Sequence, residues 1–389
     1  MQRWTSLLLM MLVLAGVLVA GHYYLWTQLI RDTGVGFPTR RAMIGILAAL
    51  AVGFPTAIII ARLVPPASST WWITPVYLWI GVSTVLVLSV AAVDLLRNGY
   101  SLAASGLGAT DPARRQALAR FAAAVALTIG LGASGWAALE GRRVRIKRIE
   151  VPLKKLPKAL DGLSIVQVSD VHIGPVIGRG FVEGVVAMVN DLAPDIVAIT
   201  GDLVDATVEE LSGEVAPLAR LTSRLGTFFV TGNHEYFVDA PGWCQHLGQL
   251  GVRVLRNEHV AIERGGQVLH LAGMDDYESE RIEVGHRPDL AKAVAGRDVT
   301  RPLVLLAHQP KAIYEAVRHG VDLQLSGHTH GGQLWPLGWL QRMSQPVVAG
   351  LKKFNDSFLY VSCGTGSSGP PMRLAAPAEI THITLRATS

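Results

Sequence analysis

The sequence predicts a two-part chain, a membrane-embedded N-terminal region followed by a layered α/β domain. Three observations carry this. Four long runs before residue 140 contain no Asp, Glu, Lys or Arg; from about Ile149 the apolar residues come instead in short, β-branched runs separated by helix-length intervals; and five of these short runs lead straight into an Asp, Asn or His. A length of 389 residues has room for two or three domains. The mean hydropathy of +0.35 describes neither part, because the apolar excess lies before residue 140.

The uncharged runs are 7–30, 42–60, 73–93 and 121–139, of 24, 19, 21 and 19 residues. Each is long enough, as a helix, to cross a hydrocarbon core about 30 Å thick. Trp71 and Trp72 open the third run and Trp26 lies near the end of the first, where amphipathic rings favour the headgroup region. The first run is too long for the core of a cleaved signal, and Gly21-His22-Tyr23-Tyr24 is a poor cleavage site, so it is read as retained. His22 inside it is expected to be hydrogen-bonded within the bundle.

The net charge is +5, with a pI near 9.3. The cations cluster beside the apolar runs, which favours an anionic membrane surface. Residues 150–389 lack a basic groove with interleaved aromatics, so nucleic acid is disfavoured as a partner. Cys244 and Cys363 make neither a disulfide framework nor a thiolate metal knot. Four crossings put both chain ends on one side, and cation counts on the two sides are equal. Arg142, Arg143, Arg145, Lys147 and Arg148, directly after the last run, tilt the reading towards a cytoplasmic domain on a multi-pass protein of the inner (cell) membrane.

The expected layout is a transmembrane region over 1–140, a basic linker over 141–160 and an α/β domain over 161–389. In the last part, runs at 163–168, 196–199, 228–230, 303–306, 358–362 and 380–385 read as strands, with 182–192 and 290–295 as helices. Gly364 to Gly369 and Pro370-Pro371 mark a loop before the last strand.

Five stretches carry chemistry: Asp170-Val171-His172, Gly201-Asp202-Leu203-Val204-Asp205, Gly232-Asn233-His234-Glu235, Ala307-His308 and Gly327-His328-Thr329-His330-Gly331-Gly332. Each follows an apolar run, so strand ends should deliver these side chains to one rim of a sheet, where open α/β sheets bind ligands. Any one of them alone is weak. Two imidazoles one residue apart in a glycine-flanked turn, with carboxylates and an amide in support, suit two metal ions side by side. The constellation reads as a two-metal phosphoester-hydrolysing site.

These residues resemble the calcineurin-like metallophosphoesterase family, over about 160–385. The resemblance implies a four-layer αββα sandwich of two mixed sheets flanked by helices. It implies that Asp170, His172, Asp202 and His330 hold one divalent ion, and that Asp202 bridges to a second completed by Asn233, His308 and His328. The mixed N/O donor set without thiolates argues for Mn²⁺, Fe or catalytic Zn²⁺. His234 resembles the family's residue for the leaving group, and Asp205 the carboxylate that orients it. Hydrolysis would then be in-line attack on phosphorus by a water activated between ions about 3.5 to 4 Å apart.

Ser169 to Gly174, Gly331-Gly332-Gln333 and the segment 361–385 are similar to the membrane-attached, YkuE-like bacterial branch. Part of that branch is associated with cleaving UDP-2,3-diacylglucosamine in lipid A synthesis, which implies a phosphorylated small molecule or lipid as substrate. Cys363 departs from the Arg that relatives tend to carry there. Two other readings stand beside the hydrolase: a catalytically silent membrane sensor or scaffold, and a nuclease using the same site. Asp275 and Asp276 have no role assigned.

Overall fold

The computed structural model describes residues 15–61, 66–103, 111–282 and 286–388. The chain forms two compact units, Met1–Leu139 with Pro370–Met372, and Glu140–Gly369 with Arg373–Ser389.

In the first unit residues 15–26 are helical and continue into a π turn, Thr27–Arg31. Helices α1 (Phe37–Ala61), α2 (Pro66–Ala103) and α3 (Pro112–Glu140) follow. Two helical stretches among the described residues are long and apolar enough to cross a membrane, Trp71–Gly99 and Pro112–Glu140. These contain the third and fourth of the expected spans. The second lies within α1, and the first begins outside the described residues. Leu25, Leu86, Val90 and Ala126 pack together. Gly130 allows a close approach, since a Cβ there would sit 2.7 Å from Leu86 Cδ2. His22 is satisfied as expected: Nδ1 donates to Leu18 O at 2.8 Å and Nε2 accepts from Trp79 Nε1 at 3.1 Å.

In the second unit the strands are β1 (Val144–Leu153), β2 (Ser164–Val168), β3 (Ile196–Ile199), β4 (Thr227–Phe229), β5 (Arg253–Val254), β6 (Glu258–Arg264), β7 (Gln267–Gly273), β8 (Leu303–Leu306), β9 (Leu323–Ser326), β10 (Gly350–Phe354), β11 (Ser357–Val361) and β12 (Ala378–Ala387). They form two mixed sheets, ordered β1-β12-β2-β3-β4-β5 and β10-β11-β9-β8-β7-β6. β2 to β5 are mutually parallel in the first sheet, and β7, β8, β9 and β11 in the second.

The apolar runs are unbroken because both faces of each sheet are covered. Ile165, Ile196, Ala198, Val304 and Leu306 point into a core shared by the two sheets. Their neighbours Val166, Val197 and Ile199 turn outward to helices α4 (Arg179–Asp191), α5 (Val208–Val215) and α7 (Ala240–Gln249). On α4, Val182, Val185, Val186 and Val189 recur at helical spacing and are all buried. Leu303 and Leu305 turn outward to Leu290, Ala312 and Ile313. Helix, sheet, sheet, helix is therefore the layer order.

Two expectations are corrected. The stretch expected as a basic linker contains β1, which pairs in parallel with β12 over its whole length; Ile149, Val151 and Leu153 join the core shared by the sheets, Val144 and Ile146 pack on the outer face, and Arg145 and Arg148 are exposed. The five strand ends lie on two sheets, three on the first and two on the second, and not on the rim of a single sheet.

Candidate metal centre

Parallel strands β2, β3 and β4 end just before Asp170, Asp202 and Asn233, and β8 and β9 end just before His308 and His328. Asn233 opens the short helix α6 (Asn233–Val238), capped by Gly232. Asp170, His172, Asp202, His328 and His330 all have a left-handed backbone, with φ between 49° and 71°. For residues other than glycine this costs about 1 kcal/mol or more each, and five such positions in one cluster are a feature of functional sites. Glycines make the close approaches: a Cβ on Gly201, itself at φ +86°, would lie 2.5 Å from Gly232 N and 2.8 Å from His308 Nδ1. One on Gly327 would lie 2.0 Å from Asp170 Oδ2.

All nine residues picked from the sequence meet. Asp170, His172 and His330 form one group of donor atoms and Asp202, His308 and His328 another. Asp202 Oδ2 lies 3.1 Å from His308 Nε2 and 3.9 Å from His172 Nε2, so its carboxylate stands between the groups. His328 Nδ1 is 2.9 Å from Asn233 Oδ1 and 3.3 Å from His308 Nε2. Asp205 Oδ1 accepts from both His172 Nδ1 and His234 Nδ1, each at 2.8 Å. His234 N donates to Asp202 Oδ1 at 2.9 Å.

The residues fit divalent ions on three counts. His308 Nδ1 donates to Thr200 O at 2.8 Å, which leaves Nε2 facing a carboxylate oxygen, so a proton or a cation must stand between them. His172 is engaged at Nδ1 by Asp205, and its Nε2 meets His330 Nε2 at 2.9 Å. Among the described residues, Asp170 Oδ2 is buried without a hydrogen-bond partner.

The electrostatics are correspondingly divided. Burial pushes Asp170 up. Burial also opposes the charge on Asp202, but the charges of His308 and His234 win and hold it well below the usual range. Asp205 is likewise held low, against its burial, by His172 and His234. His234 is raised to about 9, because Asp202 and Asp205 outweigh its desolvation. Burial and the charge of His308 push His328 down to about 3.

Two supporting residues were not assigned a role from the sequence. Glu235 is fully buried and accepts from Gly232 N at 2.6 Å, Leu203 N at 2.7 Å and Asp202 N at 3.0 Å, fastening two of the motif loops together. Its place three residues after the Gly232 cap was the legible signal. Arg373, also fully buried, donates to His330 O at 2.9 Å and to the carbonyls of Cys363 and Gly366. It brings a guanidinium to the strand end where Cys363 stands; nothing in the Pro371-Met372-Arg373 stretch signals this.

Residues 163–332, which include all nine site positions, match the calcineurin-like phosphoesterase family. The chain is similar to a Bos taurus "transmembrane protein with metallophosphoesterase domain", 40% identical over 80% of this chain and 73% of that protein. This chain belongs to the calcineurin-like metallophosphoesterase family. The Danio rerio protein of the same name is 42% identical to this metallophosphoesterase over 62% of the chain, which spans only 57% of that relative's length. Bacillus subtilis YkuE, an uncharacterized metallophosphoesterase, is 29% identical over 69% of this chain and 94% of its own.

Proposed function

We propose that this chain is a membrane-associated, dimetal phosphoesterase that hydrolyses a phosphodiester or pyrophosphate bond of an amphiphilic substrate. The observation that carries the reading is Asp202, whose carboxylate clusters with His308 and His328 and reaches to 3.9 Å from His172 of the other donor group. In this reading Asp170, His172, Asp202 and His330 hold one divalent ion, and Asp202, Asn233, His308 and His328 the other. Bound there, the ions would supply positive charge for the phosphate oxygens and activate water at neutral pH.

The remaining steps belong to side chains. His234 keeps Nδ1 on Asp205 and so offers Nε2 to the leaving oxygen, where it donates a proton as the P–O bond breaks. Asp205 fixes the tilt of His172 and His234 together, which couples ion binding to acid placement. Phe237 is exposed beside His234, with ring centroids 5.4 Å apart, and gives the organic part of an ester an apolar face. Two helices able to cross a bilayer, and relatives named as transmembrane proteins, support a membrane location, with four spans and a cytoplasmic domain as the fuller proposal.

The test compares parent and Asp202→Ala protein, loaded with Mn²⁺, on bis-p-nitrophenyl phosphate, UDP-2,3-diacylglucosamine and single-stranded DNA. Hydrolysis of either of the first two by the parent alone is the expected result. Cleavage of DNA only would replace this reading by a nuclease, and a parent that binds no metal and turns over nothing would leave a scaffold.

A further inference from the structure

Four residues beyond His330 the chain leaves the rim on an excursion that ends at β10. Its middle is the single-turn helix α8 (Gly338–Gln341), none of whose residues is buried. Trp335 is 57% exposed, Trp339 65%, Leu340 65% and Met343 86%. The two indoles meet edge to face at 6.4 Å. Four large apolar side chains within nine residues, all facing water, are more than scattered surface apolarity.

The excursion is also held in place. Leu334 is buried, Trp335 N donates to Leu374 O at 3.0 Å, Thr329 Oγ1 donates to Val348 O at 2.6 Å, and buried Gln345 accepts from Lys311 N at 3.1 Å. Gly332 and Gly338 touch so closely that a Cβ on Gly332 would lie 2.4 Å from Gly338 Cα. A fastened backbone presents apolar tips at little ordering cost on docking.

Charge indicates the occupant. From Leu323 to Asn355 there is no Asp or Glu, while Arg342, next to Met343 in the chain, and Lys352 and Lys353 on β10 are exposed. A segment of exposed Trp, Leu and Met with cations and no acids is the composition that enters the headgroup boundary of an anionic lipid layer. The same chain carries helices able to cross a bilayer, so a lipid surface is within reach of every copy.

We propose that Trp335, Trp339, Leu340 and Met343 form a membrane-docking wedge that inserts into an anionic lipid surface beside the His330 turn. The wedge brings headgroup phosphates to the rim; that consequence rests on the phosphoesterase reading, whereas docking itself does not.

The test uses full-length protein in nanodiscs, with Cys244→Ser to remove the more accessible thiol. Met343→Cys carries an environment-sensitive fluorophore, and Val299→Cys, at another exposed site, is the control. The label at 343 should shift to the blue and be quenched by doxyl lipids in discs containing phosphatidylglycerol, and less so in pure phosphatidylcholine or high salt. The label at 299 should do neither. Equal, water-like behaviour at both positions overturns the proposal, as does a blue shift at 343 that persists in detergent and grows with protein concentration, which would mean a second copy covers the patch. In a second arm, the Trp335→Ala, Trp339→Ala double variant should hydrolyse bis-p-nitrophenyl phosphate as the parent does, yet show KM for a vesicle-borne phosphodiester lipid raised about tenfold. If no form hydrolyses either substrate, the phosphoesterase reading fails while the label data still decide the docking.

Discussion

The two ends of the same strands are built on opposite principles. At their amino ends, buried acids are stitched into the fold: Asp195, just before β3, accepts from Ser164 N at 2.9 Å, Ser164 Oγ, Arg224 Nη1 and Arg264 Nη1, both of the last at 3.1 Å, and Asp322, just before β9, accepts from Leu303 N at 2.8 Å. At their carboxyl ends Asp170 keeps an oxygen without a hydrogen-bond partner among the described residues, two imidazole nitrogens face each other, and five residues sit in left-handed backbone. The first arrangement stabilises the sheet. The second leaves donor atoms unsatisfied, a cost that a bound cation would offset, so stability and activity should respond oppositely to mutations at the two ends.

The largest effect should come from Asp170→Asn. The variant keeps an oxygen to accept from His328 N, as Asp170 Oδ1 does at 2.8 Å, but loses a desolvated charge. Turnover should fall to background, while chelator-treated variant melts at or above the temperature of chelator-treated parent. Added Mn²⁺ should raise the parent's melting temperature, with a gain of about 2.7 kcal/mol when metal is at a hundred times Kd. The variant should gain far less. Should chelated Asp170→Asn melt well below chelated parent, the carboxyl ends would be ordinary stabilising structure and the contrast would fail.

His234→Ala sharpens the same contrast by separating chemistry from ion binding. His234 is in neither proposed ion's ligand set, yet it clusters with His172 and Asp205, and its Nδ1 shares Asp205 with His172. Its loss should lower kcat by about 10²- to 10⁴-fold. Metal content, read by elemental analysis, should stay at the parent's value. A variant that loses its metal as well would make His234 part of the cage.

How much of this could be read from the sequence follows from how each part is encoded. The constellation was legible because chemistry demands particular residue types right after short apolar runs; the nine residues do come together, but from strand ends on two sheets and not from the one rim that the pattern implied. The strands buried on both faces, such as β3 and β8, were legible from their unbroken apolar runs. β1 was not, since its half-exposed alternation is interrupted at Lys147-Arg148 and a run of cations looks like a linker. The β6–β7 hairpin was missed although Gly265-Gly266, at φ +58° and +70°, is a strong turn signal, because its strands mix charged and apolar residues. Arg373 acts through a loop with no periodicity, so only the fold brings it against His330.

Glu235→Gln probes the seam between the two principles, a buried carboxylate satisfied by backbone yet touching the rim. It fastens Gly232, Asp202 and Leu203 through their N–H groups, and an amide keeps one acceptor oxygen and turns a donor towards the others. Metal affinity, measured by titration calorimetry, should weaken by about 10- to 100-fold. Rescue of full turnover by excess metal would mark Glu235 as a positioning residue.

Asp195→Asn should have the smallest effect on chemistry and a purely structural one otherwise. The carboxylate joins the starts of β2 and β3 to Arg264 on β6, and so ties the two sheets at the end away from the rim. Its burial works against its charge, but bonds from Ser164 and Arg224 win and hold its pKa below the ordinary carboxylate value. A lowered folded-state pKa means the contribution is complete above the unfolded value near 3.9 and is lost as pH falls through the folded one. The variant should therefore be less stable than the parent at pH 7, by roughly 1.5 to 3 kcal/mol for charged hydrogen bonds removed, and the gap should close on acidification below about pH 4. Turnover per folded molecule should not change. A drop in kcat with unaltered melting would mean the two ends of these strands communicate, and the division of labour between them would have to be abandoned.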